Sequence, residues 1–212
     1  MHWEGRYEAY RTSPGHAAGD DLDLLVEWCE PAPGVTALDV ATGGGHVANR
    51  LREAGCAVIT CDAEPSMRPD VVCTADALPF QDGAFDVVAC RIAAHHFPSI
   101  PTAVAEMARV CSGRMVIEDT LFHSEGHERA EHLRDPSHVG SLSAEQWEAA
   151  VSAANMRMTD RALLEKRHDL EAWLERSDCS GETADEVRGL LADAVSDGVY
   201  TDTKIILRAV PV

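Results

Sequence analysis

The chain has 212 residues, with 36 Asp+Glu against 18 Lys+Arg and a formal charge of −18 at pH 7. Apolar residues at 45% and charged residues at 25% are an ordinary globular balance, and the length suits one domain with a substantial core. The acid excess argues against sequence-independent binding to nucleic-acid phosphates or anionic lipid, which both need a positive field. Only two lysines occur, Lys166 and Lys204, so nearly all the positive charge is arginine.

The start, Met1-His2-Trp3-Glu4-Gly5-Arg6, has no basic segment followed by an apolar stretch, so no signal peptide is expected. No run of eighteen apolar residues predicts a membrane span. The seven cysteines are scattered and form no Cys-x-x-Cys pair, which supports neither a disulfide framework nor a zinc site and fits a cytoplasmic protein.

In chain order, Leu22, Leu25, Val26 and Cys29 fall on one face and predict a helix from Asp20 to Glu30, stopped by Pro31-Ala32-Pro33-Gly34. Apolar runs follow at Val35–Ala41, Ala57–Cys61, Val71–Thr74, Phe85–Arg91 and Arg114–Ile117. Helical patterns lie between them at His46–Ala54 and Thr102–Val110. Strands that are apolar throughout and alternate with helices predict a parallel sheet covered on both faces. From His123 to Gly140 the chain is polar and reads as a loop-and-helix excursion. Ser143 with Gln146 predicts a capped helix to Ala154. Arg157–His168 and Thr201–Val210 read as two closing strands, with a helical stretch from Ala184 to Asp197 between them. The expectation is an α/β fold: a Rossmann-like, seven-stranded, mostly parallel sheet with a final antiparallel strand and helices on both faces.

Leu38-Asp39-Val40-Ala41-Thr42-Gly43-Gly44-Gly45-His46 runs from a strand through consecutive glycines into a helix. Glycines permit positive φ and close ligand approach, and the helix start offers free N–H groups. Gly43-x-Gly45-x-x-Ala48 also satisfies a dinucleotide pattern, but three carboxylates point elsewhere. Asp39, within the strand, would repel a pyrophosphate and attract an ammonium group. Asp62, ending the second strand, is placed to accept hydrogen bonds from a ribose diol. Asp76, with the adjoining backbone of Ala77 and apolar cover from Leu78, can read an adenine edge. An amino-acid end, a ribose, an adenine and no phosphate describe S-adenosylmethionine.

Leu38–His46, Thr60-Cys61-Asp62, Cys73–Asp86 and Arg91-Ile92-Ala93-Ala94-His95-His96-Phe97 together resemble class I S-adenosylmethionine-dependent methyltransferases of the UbiE-like (ubiquinone/menaquinone biosynthesis) type. The resemblance is strong over about residues 35 to 120. It implies that Gly43 and Gly45 face the methionine part, Asp62 the ribose, and Asp76 and Ala77 the adenine. Arg91 and His96 would stand on the loop after the fourth strand. Ala41 and Ala63, beside these turns, complete the expected cofactor-binding set. The family's Lys/Arg-Pro-Gly-Gly turn is replaced by the shorter Val110–Arg114, where a tighter loop is expected.

The expected reaction is methyl transfer to a nucleophilic oxygen, nitrogen or carbon of a small molecule. His96, His95 and Asp119 are the candidate bases, since an imidazole near neutrality suits proton removal. No metal is expected, because the His95–His96 pair lacks a third ligand at metal spacing. His123, His127, His132 and His138 read as a solvated cover, with His138 a lesser candidate for reaching substrate. His16, Tyr7 and Tyr10 are candidates for an N-terminal lid, and Trp147 for the core. The single domain divides into lid and helix (1–34), cofactor-binding core (35–120), substrate cover (121–156) and C-terminal strands and helix (157–212). Two alternatives stand beside this: a non-catalytic or pericyclase-type S-adenosylmethionine-binding protein, and an NAD(P)-dependent oxidoreductase. The oligomeric state is left open.

Overall fold

The five apolar runs form parallel strands in a computed structural model that describes residues 7–12 and 17–212. These strands are β1 (Thr36–Val40), β2 (Ala57–Asp62), β3 (Val71–Val72), β4 (Phe85–Arg91) and β5 (Cys111–Thr120). Leu38 pairs with Ile59 of β2 on one side and Val88 of β4 on the other. The chain therefore builds outward from β1 to β3 and then returns to place β4 on the opposite side of β1. That reversal opens a crevice at the carboxyl ends of β1 and β4, where open α/β sheets take their ligands.

Both faces of the sheet are buried, with the period of two that strands impose. Val88, Cys90, Met115 and Ile117 join one core cluster with Met107 and Trp147, whereas Ala37, Val87, Ala89 and Val116 join another with Leu22, Leu25 and Leu51. Six α-helices precede the closing strands among the described residues. In chain order they are α1 (Tyr7–Thr12), α2 (Asp20–Trp28), α3 (His46–Glu53), α4 (Ile100–Val110) and α5 (Glu125–Arg134), followed by α6 (Ala144–Ala153). The capping box at the start of α6 forms as expected, Ser143 Oγ accepting from Gln146 N while Gln146 Oε1 accepts from Ser143 N. At the base of the sheet, Asp86 accepts hydrogen bonds from Thr36 N and Oγ1, a strand-bracing role remote from the crevice.

The sheet closes with β6 (Met156–Asp169) and β8 (Val199–Pro211). The order is β3-β2-β1-β4-β5-β8-β6, with β8 antiparallel to both neighbours. An eighth, two-residue strand, β7 (Val195–Ser196), departs from the seven-strand expectation. It turns back onto β8 through Asp197 and Gly198, which sit at φ 51° and 75°. An Asp-Gly pair with both φ positive is the hairpin turn matched to strand twist. The predicted helix from Ala184 to Asp197 is accordingly shorter and earlier, α8 (Gly181–Leu190). A further helix, α7 (Leu170–Glu175), starts where Asp169 accepts from Ala172 N. Strand β5 follows α4 without an intervening loop, tighter than expected. Gly113 is required there, because a Cβ would come within 2.5 Å of the Asp86 carbonyl oxygen.

Among the described residues no helix is long and apolar enough to cross a membrane. His16 and the side chains of Tyr7 and Tyr10 lie outside the described residues.

Candidate active site

The crevice is set by how β1 enters α3. After Val40 the chain passes through Ala41, Gly43 and Gly45 at φ 54°, 50° and 77°. Asp39, almost fully buried in β1, ties this turn down: its carboxylate accepts from Thr42 Oγ1 (2.6 Å) and Ala48 N (3.2 Å). Burial pushes its pKa up to about 6, against the lowering effect of those two hydrogen bonds. Asp62, at the end of β2, accepts from Gly43 N (3.0 Å) and Glu64 N (2.9 Å). Burial raises its pKa as well. Two carboxylates thus border the cavity in fixed orientations.

The cavity has a volume of about 380 Å³, within the usual range of small-molecule sites. Nine of the sequence-derived candidates line it: Asp39, Ala41, Gly43, Asp62, Ala63, Asp76, Arg91, His95 and His96. Four others lie outside the lining, each for a visible reason. Gly45 turns its N–H to Thr42 O just before α3, and Gly44 lines the cavity in its place. Ala77 is exposed, with its N–H on Thr74 O. Leu78 is buried in the core, its N–H donating to Glu106 and its carbonyl accepting from Arg109. Asp119 is buried behind His95.

Asp119 receives His95 twice, at Oδ2 from the backbone N–H (2.9 Å) and at Oδ1 opposite Nδ1 (2.5 Å). Burial pulls the His95 pKa down, but the Asp119 charge and hydrogen bond outweigh it and the net shift is upward. His96, its ring 4.1 Å from that of His95, is shifted downward by burial and by its neighbour. Its Nδ1 stands 3.1 Å from both Ser137 O and Ser137 Oγ. A carbonyl only accepts, so this contact assigns the proton to Nδ1 and leaves the lone pair on Nε2. The pair therefore pairs a charge-favoured imidazole with a neutral one.

Arg91 borders the cavity but its guanidinium is engaged by two carboxylates, Asp21 (2.6 Å) and Glu118 (2.7 Å). Asp21 also meets Lys166 Nζ, so α2, β4 and β6 are joined by one buried ionic chain. Those charges hold Asp21 well below the usual carboxylate range despite its burial, while burial lifts Glu118 to about 7.

The opposite wall was not identified from the sequence. Glu131, Arg134, Lys166, His168, Trp173, Arg176, Asp202 and Lys204 line it together with Thr120. The β6–β8 register explains the convergence: Lys166 pairs with Asp202, Leu164 with Lys204 and His168 with Tyr200, so alternate residues of both strands share one face. Ile92, at φ 50°, is a further missed lining residue, and a β-branched side chain there is a strained conformation.

The histidine cover is solvated only in part: His123 and His132 are exposed. His127 and His138 are buried, and His138 Nε2 bonds Glu128 (2.9 Å) rather than facing the cavity. Val139 N and Gly140 N both donate to His95 O, pinning that segment to the histidine loop. Trp147 is core, as expected.

Residues 38–116 match the methyltransferase-domain family. The chain is 31% identical over 192 residues to the uncharacterized methyltransferase YcgJ of Bacillus subtilis, covering 80% of this chain and 76% of that protein. It superposes on BH2331 of Bacillus halodurans C-125, provisionally called a methyltransferase, with a TM-score of 0.82 and 27% identity over 92% of this chain and all of the other. The demethylmenaquinone methyltransferase of Beutenbergia cavernae is 34% identical over 99 residues, and the chain spans only 41% of that enzyme. The chain belongs to the S-adenosylmethionine-dependent methyltransferase family.

Proposed function

We propose that the protein methylates a small-molecule acceptor in the cavity between the carboxyl ends of β1 and β4 and the β6–β8 ribbon, with His96 as the proton acceptor. The observation that carries this is the shared cavity of Asp39 and Asp62 on one side and the two histidines on the other. When bound, S-adenosylmethionine supplies an electrophilic methyl group on a sulfonium that needs no further activation.

The residues fit that cofactor. Asp39 offers an anion to its ammonium group, and the N–H groups of the Gly43–Gly44 turn lie at the start of α3. Asp62, already oriented by Gly43 and Glu64, keeps lone pairs for a ribose diol. Asp76 borders the region where the adenine edge would lie. The chain's remaining task is positional: to hold the acceptor in line and keep water out. Where the nucleophile carries a proton, His96 Nε2 takes it: that imidazole is neutral at working pH, and its lowered pKa makes it a weak base suited to a nucleophile whose proton is already acidic. Asp119 acts through His95, fixing its ring and favouring its charged form.

The quinone-type acceptor implied by the UbiE-like resemblance draws support only from a match over 41% of the chain. The test is mass spectrometry of the native protein for copurified adenosyl ligand, followed by labelled-methyl transfer into a small-molecule extract. Incorporated label that disappears in His96→Ala supports the reading. Absence of both ligand and label contradicts it.

A further inference from the structure

We propose that the far wall of the cavity is an anion-binding subsite, so that the acceptor is a small molecule carrying a carboxylate or phosphate group. This rests on the methyl-transfer reading and narrows it to a substrate class. In a chain where acids outnumber bases two to one, Arg134, Lys166, Arg176 and Lys204 line this wall with Glu131 and Asp202, and Asp21 behind the lining holds Lys166. Both lysines of the entire sequence stand here. The opposite end of the same cavity is acidic, with Asp39, Asp62, Glu64 and Asp76. The cavity is therefore polarised, its acidic end suited to a sulfonium cofactor and its basic end to an anion.

The cations have donors left over. An ammonium has three N–H donors and a guanidinium five. Lys204 Nζ bonds Asp202 (2.7 Å) and Thr120 Oγ1 (2.6 Å), and Lys166 Nζ bonds Asp21. Arg134 donates from Nε to Trp173 O and from Nη1 to Glu131. Its guanidinium also lies 3.9 Å over the Trp173 ring, which fixes its plane beside an aromatic surface. Held this way, Arg134, Lys166 and Lys204 keep their charge at little further entropic cost on binding. Cations already fixed by carboxylates but with N–H donors unspent favour a ligand anion, which supplies the charge-assisted acceptors that those donors lost on leaving water.

The test titrates protein saturated with S-adenosylhomocysteine with four probes of similar size: benzoate, phenyl phosphate, benzamide and benzylamine. The expected result is that at least one anion binds tenfold or more tighter than benzamide, with benzylamine weakest, and that added NaCl erodes the preference. Comparison of benzoate with phenyl phosphate assigns the kind of anion. Arg176→Met, at an exposed position, and Lys166→Met should each weaken the anions at least threefold while leaving S-adenosylhomocysteine affinity within twofold. Equal or tighter binding of benzamide or benzylamine, no binding of any probe, or unchanged anion affinity in both variants would overturn the proposal. Failure to bind S-adenosylhomocysteine at all instead overturns the cofactor reading, and the subsite proposal falls with it.

Discussion

Asp119 Oδ1 stands 2.5 Å from His95 Nδ1, and the same carboxylate accepts the His95 backbone N–H, so one buried acid fixes both the ring and the loop that carries it. Asp119 therefore lies behind His95 and outside the cavity lining, a place that suits the positioning role proposed for it better than the candidate base suggested by the end of the fifth strand.

Asp119→Asn should destabilise the fold by roughly 3 kcal/mol near pH 5–6, because it leaves a buried charge without its partner. The pH dependence has a definite sign. The Asp119 pKa is lowered in the fold, so its contribution is present above 3.8 and is lost as pH falls through the folded value. The His95 pKa is raised, so its contribution is full below 6.5 and is lost as pH rises through the folded value. Urea denaturation at pH 5.5 and 9 should show the larger loss at 5.5. Equal losses at both would count against a charged pair.

His96→Ala should lower kcat by about 10²–10⁴-fold with an acceptor that must lose a proton, the usual span for general-base catalysis. Cofactor affinity should be unchanged. In the wild-type enzyme kcat should not titrate near 6.5 in a manner assignable to His96, since burial and His95 hold that group lower. Steady-state kinetics from pH 5 to 9 with wild type and variant separate this from a purely structural role.

Asp39 gives cofactor binding its own pH signature. With its pKa lifted to about 6, the carboxylate is charged above that value and neutral below it. Affinity for S-adenosylhomocysteine should therefore fall as pH drops from 7 to 5, through loss of the anion facing the ammonium group. Asp39→Asn should bind more weakly at pH 7 and flatten that slope. Calorimetric titration across this range reads both effects, and a slope retained by the variant would assign the titration to another group.

The parallel half of the fold was legible because its strands are buried on both faces and bounded by glycine or proline. Leu38 through Gly45 needs no distant partner to be read as a strand running into a phosphate-free nucleoside turn. The C-terminal half was harder for physical reasons. Asp197-Gly198 is a hairpin signal, but β7 is two residues long, too short for periodicity to register. The burial of His127 and His138 depends on Ser124, Glu128 and the backbone of the His95 loop, none of which a local pattern reveals. The scarcity of lysine was visible in the sequence, yet only the β6–β8 register brings Lys166 and Lys204 to one face. Asp119, finally, sits at a strand end as catalytic acids do, and only the tertiary position of His95 turns it away from the cavity.

The central claim is that carboxylates at the strand ends grip an adenosyl ligand, and Asp62 tests it most directly. Isothermal titration of S-adenosylhomocysteine into wild type and Asp62→Ala, with thermal melts to verify folding, should show a loss of at least ~10-fold for each ribose hydrogen bond removed, at about 1.5–3 kcal/mol per bond to a charged group. A folded variant whose affinity stays within a few-fold of wild type would contradict the account.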